Sequence, residues 1–289
     1  MSTSKKEVIF VQKLTFFEDE EFKYNDDIVN GLKKFNISQT GFREKDSQSF
    51  YVFDNEELVG GSRTKMESDW AFIKTIYYKN FDILKNLIND IKKYYKGKVV
   101  GIQFNSVIFD RVDDFKSLGF IEKGKLEDMP IGKENVFLIN TNFDVHEVEE
   151  DYETKKANEP IKEYDTAFKK KLDKLRKSLN FSNEVIDIQF VALDNEKFAG
   201  GIYGNFQYDY LFINILFVRN KYRGKKIATK LMKMIEDKAH EMNVHNLYIT
   251  TFEFQALGLY NRLGYKVVME IYDYPKGFKE YTVYKKLDK

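Results

Sequence analysis

A chain that repeats itself has few ways to fold, and this one repeats at a fixed spacing. Asp54-Asn-Glu-Glu-Leu-Val-Gly60-Gly61 returns 140 residues later as Asp194-Asn-Glu-Lys-Phe-Ala-Gly200-Gly201. At the same offset Trp70-Ala-Phe-Ile-Lys-Thr-Ile76 answers Tyr210-Leu-Phe-Ile-Asn-Ile-Leu216, and Tyr24, Ile28 and Leu32 answer Tyr164, Phe168 and Leu172. Further on the offset becomes 145: Phe115-Lys-Ser-Leu-Gly119-Phe120 answers Tyr260-Asn-Arg-Leu-Gly264-Tyr265, and Pro130 with Gly132 answers Pro275 with Gly277. So many matches at two offsets imply a tandem duplication of one unit. The units divide as residues 1–143 and 144–289, with the charged stretch from His146 to Glu159 serving as linker and weak first strand of the second unit.

Hydrophobic periodicity predicts the same content in both units. Helices fall near Asn25 to Phe35 and Tyr164 to Leu179. Strands follow near Ser49 to Phe53, Leu58 to Thr64 and Ala71 to Tyr78, then a helix, then a strand near Val99 to Phe104 or Asn246 to Thr250. Each unit closes with strands. The fold class is α/β in the broad sense (α+β), with helices flanking a mixed, mainly antiparallel sheet.

Composition removes several function classes. The net charge is +1, with both signs interspersed, which gives no global reason to expect nucleic acid or a membrane surface. There is no cysteine, hence no disulfide, thiol nucleophile or thiolate metal site, and a reducing cytoplasm is the expected location. The run MSTSKKEVIF has no apolar core of leader length. His240 and His245 straddle a helix end and do not present two ligands on one face, so no metal is expected.

The stretch Leu211 to Leu231 carries the chemistry. A strand-like run ends at Phe217-Val218, a basic turn runs from Arg219 to Gly224, and a helix begins near Ile227. A helix start aims free N–H groups and a positive dipole end at one point, where an anion such as phosphate is stabilised. A plain strand–helix connection explains the same pattern. The spacing fits neither a P-loop nor a dinucleotide fingerprint.

The turn resembles the acetyl-CoA pyrophosphate loop of the GNAT superfamily of N-acetyltransferases, Gln/Arg-x-x-Gly-x-Gly/Ala after an apolar-Val pair. Lys221 stands in the first place, Gly224 matches, and Lys226 stands where the family has a small residue. Downstream, Tyr248 to Tyr265 resembles the family's next strand and short Tyr-bearing helix, and the tail through Pro275 and Gly277 is similar to small bacterial members. The resemblance spans roughly Asp144 to the C-terminus. It implies two tandem GNAT-like domains, with acetyl-CoA as cosubstrate, no metal, and a primary amine of a small molecule or peptide as acceptor.

By the same resemblance, the cofactor-binding stretch Leu216, Phe217 and Val218 holds the acetyl carbonyl through a backbone N–H. Arg223, Gly224, Lys225, Lys226, Ile227, Ala228 and Thr229 hold the diphosphate, Gln255 lines the cofactor, and Tyr260 is the general acid. A core aromatic with a hydrogen-bonded tip is the other reading of Tyr260. The family's strand carboxylate is replaced by Asn214, so Glu253, Asp209 or a water chain is left as base. Tyr203, Phe206, Tyr208 and Tyr210 either line an acceptor pocket or cover a sheet face, and the Gly60-Gly61 and Gly200-Gly201 pairs relieve crowding in bent strands.

The first unit runs from Asn80 straight into a helix, lacks the segment answering Lys221 to Ile227, and has Phe115 where Tyr260 stands. It is expected to fold but to bind no acetyl-CoA, and to pair with the second unit within the chain through a mostly apolar interface. The alternative for the whole chain is a non-catalytic ligand-binding or protein-interaction module of the same fold.

Overall fold

The computed structural model describes residues 14–41, 44–106 (backbone alone at 44–46), 111–127, 129–130, 132–149, 152–178 and 184–288. Leu179 and the N-terminal run read above for a leader lie outside them. The elements run β1 (Leu14–Glu18), α1 (Asn25–Thr40), β2 (Glu44–Asp54), β3 (Glu57–Glu67), β4 (Trp70–Tyr78), α2 (Phe81–Tyr95), β5 (Gly101–Asn105), α3 (Val112–Ser117), β6 (Ile121–Glu127) and β7 (Glu134–Asn140). Next come β8 (Glu153–Ala157), α4 (Lys162–Ser178), β9 (Val185–Asp194), β10 (Lys197–Gln207), β11 (Tyr210–Val218), α5 (Ile227–Glu241), β12 (Asn246–Phe252), α6 (Leu257–Arg262), β13 (Lys266–Tyr272) and β14 (Lys279–Lys286).

Two seven-stranded sheets of the same layout result. One runs β1-β9-β10-β11-β12-β14-β13, the other β8-β2-β3-β4-β5-β7-β6. Each is antiparallel except for one central parallel pair, β11 with β12 and β4 with β5. The fold class expected from the sequence is the one found.

The opening strand and helix of each half are exchanged. β1 pairs antiparallel with β9, and β8 pairs antiparallel with β2. The helices follow their strands. Ile28 of α1 is buried with Val191 and Phe198 of the C-terminal sheet. Phe168 and Leu172 of α4 are buried with Tyr51, Phe53 and Leu58 of the N-terminal one. A cut between residues 143 and 144 therefore crosses both sheets, and the strand within the charged linker completes the sheet of the preceding half. The direction of the strands supplies a reason. One helix between two neighbouring strands favours a parallel pair, whereas the required pairing is antiparallel, and the other half's strand meets it.

The second glycine of each repeated pair is where an exchanged helix lands. A Cβ on Gly201 would stand 2.4 Å from Ile28 Cδ1 of α1, and one on Gly61 would stand 2.9 Å from Phe168 of α4. At these two positions the crowding relieved is exchanged helix against strand, whereas Gly60 faces Ile83 of α2 and Gly200 faces Phe217 and Val218 of the neighbouring strand. Arg63 on β3 also forms an ion pair with Asp165 of α4.

Each sheet buries its other face under a long helix, α2 or α5. A third, aromatic-rich core joins the sheets, with Trp70, Phe72 and Phe137 on one side and Tyr248, Phe252 and Tyr274 on the other. Trp70 donates from Nε1 to the Asp273 carbonyl at 3.3 Å across this boundary. The linker is pinned to α2: Asn89 and His146 exchange two hydrogen bonds at 2.8 and 2.9 Å, and Lys92 donates to the Asp144 carbonyl at 3.0 Å.

Candidate active site

The site begins where two parallel strands part. β11 and β12 pair only over Tyr210–Ile213 and Asn246–Ile249, yet β11 continues to Val218 and β12 to Phe252. At the parting point β11 carries an extra residue: Ile213 pairs with Gly204 and Ile215 with Tyr203, leaving Asn214 between them. Such a bulge bends and twists its strand. Asn214 is fixed there by accepting from Asn205 Nδ2 at 2.8 Å. Backbone amides of β11 beyond the bulge that face β12 have no strand partner on that side, and they line an opening instead.

A cavity of about 260 Å³ occupies this opening. Leu216, Phe217 and Val218 form one wall, and Ile249, Thr250 and Tyr260 the other. The exchanged helix α1 closes it with Leu32 and Phe35. Phe35 lies under the Arg223 guanidinium, 4.7 Å from ring to Cζ, and its ring centre is 6.2 Å from that of Phe254. Nothing in the chain order marks α1 as serving this half. Its stripe Ile28, Leu32, Phe35 has helical spacing but names no host sheet.

At the mouth, a single 3₁₀ turn at Asn220–Tyr222 leads to Gly224 and α5. Buried Tyr222 anchors the turn, leaving Arg223, Gly224, Lys225 and Lys226 exposed. Lys226 has φ +59° and caps α5 without a side-chain hydrogen bond, so the first amides of the helix, on Ile227, Ala228 and Thr229, face outward. The Ile227 side chain is buried in the core, while Ala228 borders the cavity. Arg219 instead reaches α1, donating to Asp27 at 2.8 Å. These features fit a diphosphate-bearing cosubstrate: donors and cations at the mouth, apolar walls behind them.

Tyr260 lies in α6, 3% exposed, and borders the cavity. Burial alone pushes its phenol well above its ordinary value, which keeps the proton on Oη at neutral pH. Gln255 is committed internally. Its Oε1 accepts from the Phe252 amide at 2.9 Å and from Thr251 Oγ1 at 3.1 Å, and its Nε2 donates to Asn36 Oδ1 of α1 at 2.7 Å.

Other residues singled out from sequence fall elsewhere. Glu253 is exposed and accepts from the Lys279 amide at 2.9 Å; it neighbours the cavity in sequence without lining it. Asp209 sits in the hairpin before β11, at the end of that strand remote from Tyr260. Phe206 is buried in the core under α5, and Tyr203 donates to Asp187 at 2.7 Å. Among the described residues no three His, Asp or Glu cluster as a metal site would need, and no helix is long and apolar enough to cross a membrane.

The N-terminal sheet parts in the same way, β4 and β5 pairing only over Trp70–Ile73 and Gly101–Phe104. There the opening is filled on its cofactor side. Phe115 stacks on Phe104 at 4.3 Å and lies edge-on to Tyr78 at 6.3 Å, and all three are buried. Their counterparts across the repeat are Tyr260, Ile249 and Val218, which border the open cavity.

Residues 145–265 match the family model described as the acetyltransferase (GNAT) family. The chain is 33% identical over 92 residues to a blasticidin-S acetyltransferase of Streptomyces morookaense, covering 32% of this chain and 68% of that protein. An acetyltransferase of Agrobacterium fabrum is 28% identical over 124 residues, covering 43% of this chain and 83% of its own length. Among solved structures, an acetyltransferase of Bacillus cereus is similar at a TM-score of 0.42 and 23% identity, over 45% of this chain and 95% of the other.

Proposed function

Since this chain belongs to the GNAT family of acetyltransferases, we propose that its C-terminal sheet, closed by α1, acetylates a primary amine of a small molecule or peptide. The observation that carries the proposal is one continuous path. It runs from the outward amides at the start of α5, between the parted ends of β11 and β12, to Tyr260. Acetyl-CoA supplies the activated acetyl group as a thioester.

The chain's own residues divide the remaining work. Arg223, Lys225 and the first amides of α5 neutralise and orient the diphosphate. An unpaired amide of β11 beyond Asn214 donates to the acetyl carbonyl oxygen, where charge grows as the amine adds. Tyr260 gives its Oη proton to the departing sulfur as the carbon–sulfur bond breaks. The amine's own proton leaves through water, since none of the groups bordering the cavity is a carboxylate. The N-terminal half binds no cofactor, because Tyr78, Phe104 and Phe115 occupy the equivalent space. Matched spacing and matched strand order support the origin of the two halves in one duplicated unit.

The test is a titration with acetyl-CoA and CoA, followed by thiol release with polyamines, aminoglycosides, peptide N-termini and blasticidin S as acceptors. Blasticidin S is included because a relative bears its name. Tight cofactor binding with thiol release on one acceptor class is the expected result. The second reading, a ligand-binding module without turnover, is favoured by the missing carboxylate and by Lys226 in the small-residue position. Cofactor binding without release on any acceptor would select it.

A further inference from the structure

The N-terminal opening is filled on its cofactor side only. On the other side lies a cavity of about 370 Å³, bordered by Ile73 and Lys74 of β4, Gln103 and Asn105 of β5, and Arg176 of the exchanged helix α4. It is the counterpart of the candidate active site. Lys74 is the bulge residue of β4 as Asn214 is of β11, since Thr64 pairs with Ile73 and Arg63 with Thr75. Arg176 answers Asn36 across the repeat.

The polar lining is unusual in what it lacks. Thr75 Oγ1, Gln103 Oε1, Asn105 Oδ1 and Arg176 Nε are all buried atoms without a hydrogen-bond partner, and all four belong to residues bordering this one cavity. The Gln103 residue is 6% exposed. Buried polar atoms are nearly always paired, so four orphans around one space indicate a guest that pairs them.

Their chemistry defines the guest. Two amide oxygens accept hydrogen bonds, whereas Arg176 and Lys74 offer positive charge and donors. Both cations are only loosely held by protein carboxylates, Arg176 by Asp173 at 3.5 Å and Lys74 by Glu67 at 3.8 Å. Phe72, Tyr208, Tyr210 and Tyr248 supply an aromatic wall. We propose that this cavity is a second ligand site, without group transfer, for a small carboxylate that also carries an amino or amide group. Its carboxylate meets Arg176 and Lys74, and its N–H groups meet Gln103 and Asn105. Tyr210 and Tyr248 stand on β11 and β12, the strands that part to form the acetyl-transfer cleft, so the ligand touches the same pair of strands from the far end.

The experiment is calorimetric titration of the full chain with L-glutamine, L-glutamate and L-asparagine, with acetate and inorganic phosphate as anions lacking the N–H groups. At least one amino acid is expected to bind tenfold or more tightly than acetate or phosphate. Gln103→Leu and Lys74→Met should each weaken that binding at least tenfold while leaving acetyl-CoA affinity unchanged; Lys74 is half exposed, so its variant folds. Equal binding of all probes, no binding at all, or affinities untouched by both variants would overturn the proposal. So would a Gln103→Leu chain that gains thermal stability while wild type and variant are alike in showing no ligand response, since the orphans would then be a packing defect. An inert proposed acetyl-transfer site would leave these outcomes unchanged.

Discussion

Gln255 donates to Asn36 at 2.7 Å, joining residues 219 positions apart in the chain. One belongs to the helix that opens the N-terminal half, the other to the loop that shapes the C-terminal cavity. Because Asn36 is 8% exposed, the bond is sheltered from water, and removing one partner leaves the other unpaired. Asn36→Ala is expected to cost about 1–3 kcal/mol of stability and to weaken acetyl-CoA binding, as the turn holding Gln255 loosens. Urea denaturation and cofactor titration check it; a variant equal to wild type in both would make the bond incidental.

Residues 144–289 expressed alone would lack β1 and α1, exposing an edge of β9 and the apolar surface around Val191, Phe198 and Phe217. That fragment is expected to be poorly soluble, or to melt well below the full chain and bind acetyl-CoA at least tenfold more weakly. A peptide covering residues 14–41 should restore part of the affinity when added. A fragment as stable and as tightly binding as the whole chain would contradict the exchange.

Tyr260→Phe is expected to fold and bind cofactor normally, because Phe115 fills the equivalent place in the other half. Turnover should fall by ~10²–10⁴ if the phenol supplies the proton. Turnover within a factor of a few of wild type would assign that proton to water.

Arg223→Ala with Lys225→Ala should weaken acetyl-CoA by about 1.5–3 kcal/mol through lost charge-assisted contacts. The loss should shrink as salt rises, since both side chains are exposed. An affinity unchanged at low salt would remove the loop from the site.

Glu280 carries the clearest pH dependence outside the site. Burial, then the nearby Glu67 carboxylate, raise its pKa to about 8, against a smaller opposing pull from Lys74. The folded state therefore holds a proton that the unfolded state releases above pH 4.5, so stability is full below that value and falls as pH rises towards 8. The slope from this one group is at most about 1.4 kcal/mol per pH unit. Glu280→Gln, which mimics the protonated form, should be the more stable protein at pH 8.5 and nearly equal to wild type at pH 4. Denaturation curves at both values decide it, and parallel pH profiles for the two proteins would exclude a protonated Glu280.

Much of this was legible in the sequence. Strand alternation, helix stripes and the glycine turn are local signals, and they placed the elements read from them within about five residues, while β1 had no such reading. The basic turn and Tyr260 stood out as candidates because both lie in contiguous motifs. The host of each opening helix could not. Gly61 and Gly201 are equally suited to receive a helix, and Ile28 and Phe168 are equally apolar, so the repeat that revealed the architecture concealed the exchange. Leu32 and Phe35 were invisible as site residues for the same reason, since only the crossing brings them to Arg223 and Tyr260.

The exchange also sets a timetable for synthesis. Leu14–Glu18 is made well before the strand it pairs with, Val185–Asp194. At about 5–20 residues per second the wait is on the order of ten seconds or more. Meanwhile the N-terminal sheet waits in turn for Glu153–Ala157 and α4 to close its edge. Neither half can finish alone, and the nascent chain carries an unpaired strand and an apolar helix until Val185–Asp194 is made. Slowed elongation, or crowding by other nascent copies of the same chain, would give that helix a second molecule to land on.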